Sequence, residues 1–87
     1  MEKYEIIKLL SDSNRYKIFN ILMDYDELAV SEIESLLGLK QANTSKHLRK
    51  FKDMDILESR REKNMIKYKI RNQFLNENTD LIKYLMM

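Results

Sequence analysis

After Met54 the hydrophobic period of the chain changes from 3.6 residues to 2, and this change restricts the fold more than any other feature. Residues 65–71, MIKYKIR, alternate cleanly, with Ile66, Tyr68 and Ile70 on one face and Lys67, Lys69 and Arg71 on the other. Residues 56–61, ILESRR, read as the partner strand, and Glu62-Lys63-Asn64 as the turn between them. The expectation is a β-hairpin with an apolar underside and a basic top, set into a chain that is otherwise helical in pattern.

The helical part has its own punctuation. Residues 2–10 place Tyr4, Ile6, Ile7, Leu9 and Leu10 at helical spacing. Ser11, Asp12 and Ser13 interrupt them and offer caps for a second helix, which runs to about Tyr25 with Ile18, Phe19, Leu22 and Met23 on one face. A polar loop, Asp24-Tyr25-Asp26-Glu27, leads into a short extended piece, Leu28-Ala29-Val30. Ser31 and Glu34 have the S-x-x-E spacing of a capping box for a third helix, which directs Ile33, Leu36 and Leu37 inward. That helix stops at Gly38, the only glycine of the chain, where a left-handed cap is cheap. Leu39-Lys40 is a very short link to a fourth helix from Gln41 to about Asp53, with Thr44, Leu48 and Phe51 on one stripe and Ala42, Ser45, Lys46 and Arg49 on a neighbouring face. Asn72 can cap a last helix carrying Phe74, Leu75, Leu81, Ile82, Leu85 and Met86. Two short helices joined through a glycine turn form a helix-turn-helix, and a basic hairpin directly after them makes it a winged one. The expected fold is mostly α with a small β-hairpin, ordered helix-helix-helix-helix-strand-strand-helix, with residues 1–87 as a single domain.

Composition narrows the function classes. With no cysteine, one glycine and no proline, the sequence offers no disulfide framework, no thiolate metal site and no Gly-rich phosphate loop. It offers no nucleophile paired with a base either, so an enzyme is not expected, and no cofactor. No apolar run approaches the roughly 20 residues of a membrane span, and the opening MEKYEIIKLL lacks the apolar core and cleavage site of a secretory signal, so a cytoplasmic protein is expected. The net charge of +2 hides a strong asymmetry. Residues 1–37 carry 4 Lys/Arg and 8 Asp/Glu, residues 38–71 carry 11 and 4, and residues 72–87 carry 1 and 2. A basic middle between acidic ends fits a localised polyanion-binding face, although a merely solvated basic surface has the same charge signature.

Several stretches of the sequence resemble the ArsR/SmtB family of winged-helix repressors, across nearly the whole chain. Leu10-Ser11-Asp12-Ser13-Asn14-Arg15-Tyr16-Lys17-Ile18 resembles the family's L-S-D-P-T-R-L-R-I, without the proline. Glu27-Leu28-Ala29-Val30-Ser31-Glu32-Ile33 resembles E-L-C-V-x-E-L, and Leu37 to Leu48 resembles L-G-L-S-Q-S-T-V-S-H-H-L. Arg60-Arg61-Glu62-Lys63 and Ile66-Lys67-Tyr68-Lys69-Ile70 resemble the family's wing, R-R-E-G followed by V-Y-Y-R-L. The resemblance implies a homodimer joined through the first and last helices and a repressor on an inverted-repeat operator in double-stranded DNA. The wide apolar faces of those two helices agree, since a chain this short cannot cover them from within. It does not carry metal sensing across. Ala29 stands where metal-sensing members have a cysteine, and residues 72–87 contain no histidine. The effector therefore stays unassigned.

The candidate DNA-contacting residues are Lys40, Gln41, Asn43, Thr44, Ser45, Lys46 and Arg49 on and before the fourth helix, and Arg61, Lys63 and Lys67 on the hairpin. Gln41 can pair with adenine N6/N7 and Lys46 with guanine O6/N7 in the major groove, while Asn43 and Ser45 can contact bases or phosphates. Thr44 shares the inward stripe, which favours a core role over base reading. Lys40 stands where the family carries a helix-capping serine. There it can reach a phosphate, but it opposes the helix dipole. His47, the only histidine, suits packing or phosphate contact and not catalysis. Asp24, Asp26 and Glu27 read as a solvated loop before a cation site. The competing reading of the whole chain is a winged-helix module that binds protein or RNA without reading DNA.

Overall fold

The computed structural model describes residues 2–86. Its elements run α1 (Lys3–Leu10), α2 (Ser13–Asp24), β1 (Leu28–Ala29), α3 (Val30–Leu37), α4 (Gln41–Asp53), β2 (Leu57–Glu62), β3 (Met65–Ile70), α5 (Asn72–Glu77) and α6 (Thr79–Leu85). The hairpin β2–β3 is antiparallel, from Leu57 opposite Ile70 to Glu62 opposite Met65, and its loop is the two residues Lys63 and Asn64. The loop is one residue shorter than expected, and Glu62 belongs to the strand.

Leu36 of α3, expected to point inward, is exposed, and so is Ile66, expected on the apolar underside of the hairpin; the short α3 buries Ile33 alone, and Ile66 lies one residue from the free end of the strand pair, past the helices of the core. Three further features depart from the sequence-based reading. The extended piece before α3 is a strand in its own right. Leu28 pairs with Tyr68 and Ala29 with Lys67, so the sheet has three strands in the order β1-β3-β2. The cap of α3 also sits two residues earlier than the S-x-x-E spacing indicates. Ala29 is the N-cap residue, and its N–H donates to Glu32 Oε1 at 2.8 Å. Pairing of Leu28 and Ala29 with β3 holds them extended, so the helix begins immediately after them and Ser31 is already inside it. The closing helix, finally, is two helices. Asn78 leaves helical geometry (φ −127, ψ 28), with its side-chain Nδ2 donating to Phe74 O at 3.0 Å. An asparagine that hydrogen-bonds the preceding turn competes with helix continuation, and the apolar period alone does not reveal it.

The core joins the helices to the underside of the sheet. Phe51 of α4 faces Phe19 of α2 with ring centroids 6.3 Å apart, and Phe19 meets Phe74 of α5 edge-on at 6.0 Å. Around them Ile6, Ile18, Ile33, Leu48 and Ile56 are fully buried. Each contributes about 1.5–3 kcal/mol by leaving water, so α4 is fixed by its inner stripe and its other faces are free of structural duty. Gly38 closes α3 in the left-handed region (φ 66, ψ 33), with Leu39 N–H bonded back to Glu34 O at 3.1 Å. A Cβ at Gly38 would touch nothing within 4 Å, so the glycine is required by the backbone angle and not by space.

Candidate nucleic-acid interface

The turn Gly38-Leu39-Lys40 launches α4 with Lys40 at the N-cap and no side chain capping it. Thr44 is completely buried, and its Oγ1 donates to Lys40 O at 2.9 Å, alongside the Thr44 N–H bond to the same carbonyl at 3.0 Å. Thr44 is therefore a core residue that secures the first turn, and it leaves the set of DNA-facing candidates. Its place on the stripe with Leu48 and Phe51 already pointed there.

The remaining α4 candidates, Gln41, Asn43, Ser45, Lys46 and Arg49, are exposed together with Lys40. Ala42 and Ser45 are small, and between them, Lys46 and Arg49 lies a shallow depression of about 270 Å³. Lys40, Lys46, Arg49 and Lys50 make no ion pair among the described residues, and Lys52 donates to the Ser59 hydroxyl of β2 at 2.7 Å. This face therefore carries uncompensated cations beside two amides and a hydroxyl, the mixture that can neutralise phosphates and read base edges.

The wing is arranged differently. Cross-strand register puts Glu58, Arg60 and Glu62 of β2 on the same side as Met65, Lys67 and Lys69 of β3. That outer side is a ladder of ion pairs and not an open basic top. Lys67 Nζ meets Glu62 Oε2 at 2.7 Å, Arg60 Nη1 meets Glu62 Oε1 at 3.6 Å, and Lys69 Nζ lies 3.9 Å from Glu58 Oε1. Arg60 also reaches across β3 to Glu27, donating from Nε to Oε2 at 2.7 Å and from Nη2 to Oε1 at 2.6 Å. The Arg60 hydrogen bond holds the Glu27 carboxyl below the usual carboxylate range, and Lys67 does the same for Glu62. Both cations are in turn raised by these partners. Lys67 thus stands in the ladder, with its side chain only 23% exposed. Arg61 and Lys63 have no ion-pair partner among the described residues, and both are exposed. Lys63 opens the two-residue loop with φ 57, in the left-handed region that costs a side-chain-bearing residue energy.

His47 lies half-buried on the flank of α4 toward the start of α2. Burial pushes its pKa down. Asp12 opposes that shift, while Arg15, Lys46 and Lys50 reinforce it. Asp12 caps α2 by accepting the Arg15 N–H at 3.0 Å, and that bond lowers its own pKa. The loop acids Asp24, Asp26 and Glu27 do not gather. Glu27 belongs to Arg60, and no group of three metal-ligating side chains among the described residues could hold an ion. The residue that sequence reasoning missed is Glu27 as a partner of the wing. A signal existed in the alternation of Glu58, Arg60 and Glu62, which share the outward parity of Lys67 and Lys69 once the hairpin loop has two residues.

A helix-turn-helix whose second helix presents open cations and amides, followed by a two-stranded wing whose sheet β1 completes, defines a winged helix-turn-helix regulator. The family model described as "Bacterial regulatory protein, arsR family" matches residues 12–59, more than half of the chain, and the protein belongs to that family. The family and the structural neighbours are transcriptional regulators, not enzymes. The cadmium resistance transcriptional regulatory protein CadC of Listeria innocua is 37% identical over 65 residues, which is 75% of this chain and 55% of that protein. The chain spans about half the length of the CadC proteins of Listeria innocua and Lactococcus lactis that it matches. Reduced HlyU from Vibrio cholerae superposes with a TM-score of 0.76 at 26% identity, covering 92% of this chain and 83% of that one. A homodimeric winged helix-turn-helix DNA-binding domain from Mycobacterium bovis gives 0.75 at 25% identity, over 91% and 72%.

Proposed function

We propose that this protein is a sequence-specific, homodimeric DNA-binding repressor that reads an inverted-repeat operator in double-stranded DNA. The observation that supports it most is the contrast between uncompensated cations on α4 and the wing tip and the compensated ladder behind them. Gln41, Asn43, Ser45, Lys46 and Arg49 enter the major groove from the N-terminal part of α4, with Lys40 on a phosphate at its start. Arg61 and Lys63 lie along the adjacent backbone or minor groove. The second copy docks on α1 and α6, where Tyr4 is 69%, Ile7 47% and Tyr84 78% exposed. Such faces on so small a chain are covered by a partner, and the M. bovis neighbour is itself homodimeric. Two recognition helices one DNA turn apart then read a repeat.

The whole chain acts as one domain in the cytoplasm, where its DNA is. No helix among the described residues is long and apolar enough to cross a membrane. Metal control is not extended to this chain from the cadmium-named relatives, because it holds no cysteine and Ala29 is a buried cap residue. A calorimetric titration with zinc or cadmium is expected to show no tight stoichiometric binding. The deciding experiment is selection of genomic fragments by the purified protein at several salt concentrations. Enrichment of one inverted repeat, with affinity falling steeply as salt rises, is the expected result. Salt-sensitive binding without sequence preference would remove the repressor reading, and no binding would favour a protein-interaction module.

A further inference from the structure

We propose that Glu27 is a positioning residue for the wing: by clasping Arg60 across the sheet it sets where Arg61 and Lys63 stand relative to α4, and so contributes to sequence discrimination without touching DNA. The inference rests on the DNA-reading function proposed above. Glu27 directly precedes β1, and β1 runs straight into α3, the first helix of the helix-turn-helix. Arg60 lies in β2, the opposite edge of the sheet, one residue before Arg61. The pair therefore bridges the two edges over the top of β3. Both carboxylate oxygens are engaged, at 2.6 and 2.7 Å, and a two-point clasp of a planar guanidinium fixes orientation as well as distance.

The backbone alone ties this edge loosely. β1 contributes two residue pairs to β3, Leu28 with Tyr68 and Ala29 with Lys67. The clasp adds a side-chain tie outside that short ladder, and Glu62 braces the same guanidinium from the wing side at 3.6 Å. An exposed ion pair adds little to stability, so its effect lies in geometry. A negative charge beside a polyanion site weakens DNA binding in general. Retaining it at Glu27 is useful if the orientation it imposes favours one sequence over others.

This gives effects of opposite sign. Glu27→Gln removes a negative charge and is expected to leave affinity for a scrambled duplex unchanged or tighter, while affinity for the selected repeat falls. The ratio of the two drops by about tenfold. Glu58→Gln removes an equal charge from the same outer face, where the Lys69 contact is long at 3.9 Å, and is expected to keep the ratio. The charge-neutral exchange Glu27→Arg with Arg60→Glu is expected to restore it only in part, because the new carboxylate at position 60 stands beside Glu62. Anisotropy titrations of the four proteins on both duplexes, together with amide hydrogen exchange across β1 and β2 in the free protein, form the test. If Glu27→Gln strengthens binding to both duplexes alike, as a charge effect does, the positioning role is overturned. If the wild type shows no preferred sequence, the function reading fails instead, and hydrogen exchange decides the anchor. Faster exchange in β1 and β2 for Glu27→Gln but not Glu58→Gln retains it, and equal exchange discards it.

Discussion

The outward face of α4 and the outer face of the hairpin look alike in sequence and differ in the folded protein. Residues 40–52 hold five cations without an acid, and the hairpin holds five more in Arg60, Arg61, Lys63, Lys67 and Lys69. On α4 the helical period gathers Lys46, Arg49 and Lys50 on adjoining positions, and among the described residues no acid comes within ion-pair distance of them, so they stay uncompensated. On the hairpin, strand register sets Glu58 and Glu62 beside Lys69, Lys67 and Arg60, and Glu27 arrives from the far edge. Of these five, only Arg61, which faces the other way, and Lys63, at the loop, escape pairing among the described residues. Local charge counts therefore overstate the binding surface of a β-element more than that of a helix, because sheets bring residues distant in sequence side by side.

The contrast can be broken at its foundation or sharpened residue by residue. The largest effect is expected from Phe51→Ala, which empties the ring position that holds α4 against Phe19. A loss of about 3–5 kcal/mol in a urea unfolding curve is expected, with DNA binding lost along with the helix. Next, the two faces should respond differently to truncation. Lys40→Ala is expected to reduce the slope of log affinity against log salt by about one. Lys67→Ala should leave that slope unchanged, and an equal drop for both would erase the distinction drawn here. A smaller and two-sided effect is expected from Lys63→Gly. Glycine adopts the left-handed loop angle without strain, so thermal melting should show a gain of about 1 kcal/mol, while DNA affinity declines with the lost cation. A protein that is more stable and binds DNA just as well would remove Lys63 from the interface.

The smallest effect is in pH. His47 has its folded pKa lowered, so protonation favours the unfolded chain, and stability falls as pH drops through the unfolded value of about 6.5. Asp12, Glu27 and Glu62 have lowered values too. Their contribution is present above the unfolded carboxylate range and disappears as pH falls through the lower folded values. Melting temperature should thus decline in two stages, and His47→Gln should abolish the upper one.

The parts legible in the sequence are those governed by neighbours in the chain. The 3.6-residue stripe of Leu48 and Phe51, the left-handed stop at Gly38 and the two-residue period that makes 65–70 a strand are local, and the structure follows them, although of the three apolar positions on that strand Ile70 alone is buried and Ile66 is exposed. What was hidden depends on partners far away. Leu28 and Ala29 are too few to signal a strand, and they become one only because β3 offers an unpaired edge forty residues on. Glu32 supersedes Ser31 and Glu34 as the cap-region residue because that pairing moves the helix start. The break at Asn78 reflects one side-chain bond to Phe74 O that leaves the apolar period intact. In the candidate site the helix residues were readable from phase, Thr44 included, whereas the fate of Lys67 required the hairpin register and that of Arg60 required Glu27.

The loop Lys63–Asn64 sits at the free end of the hairpin, beyond the last residue pair Glu62 with Met65. Extra residues inserted there disturb no register and no core residue, and loop length is a weak function of folding free energy. The clasp is constrained by its neighbours on both edges of the sheet, but the tip is not. Over evolutionary time the wing is therefore the adjustable part of this scaffold, able to lengthen or change charge and so acquire new DNA targets while the helix-turn-helix stays as it is.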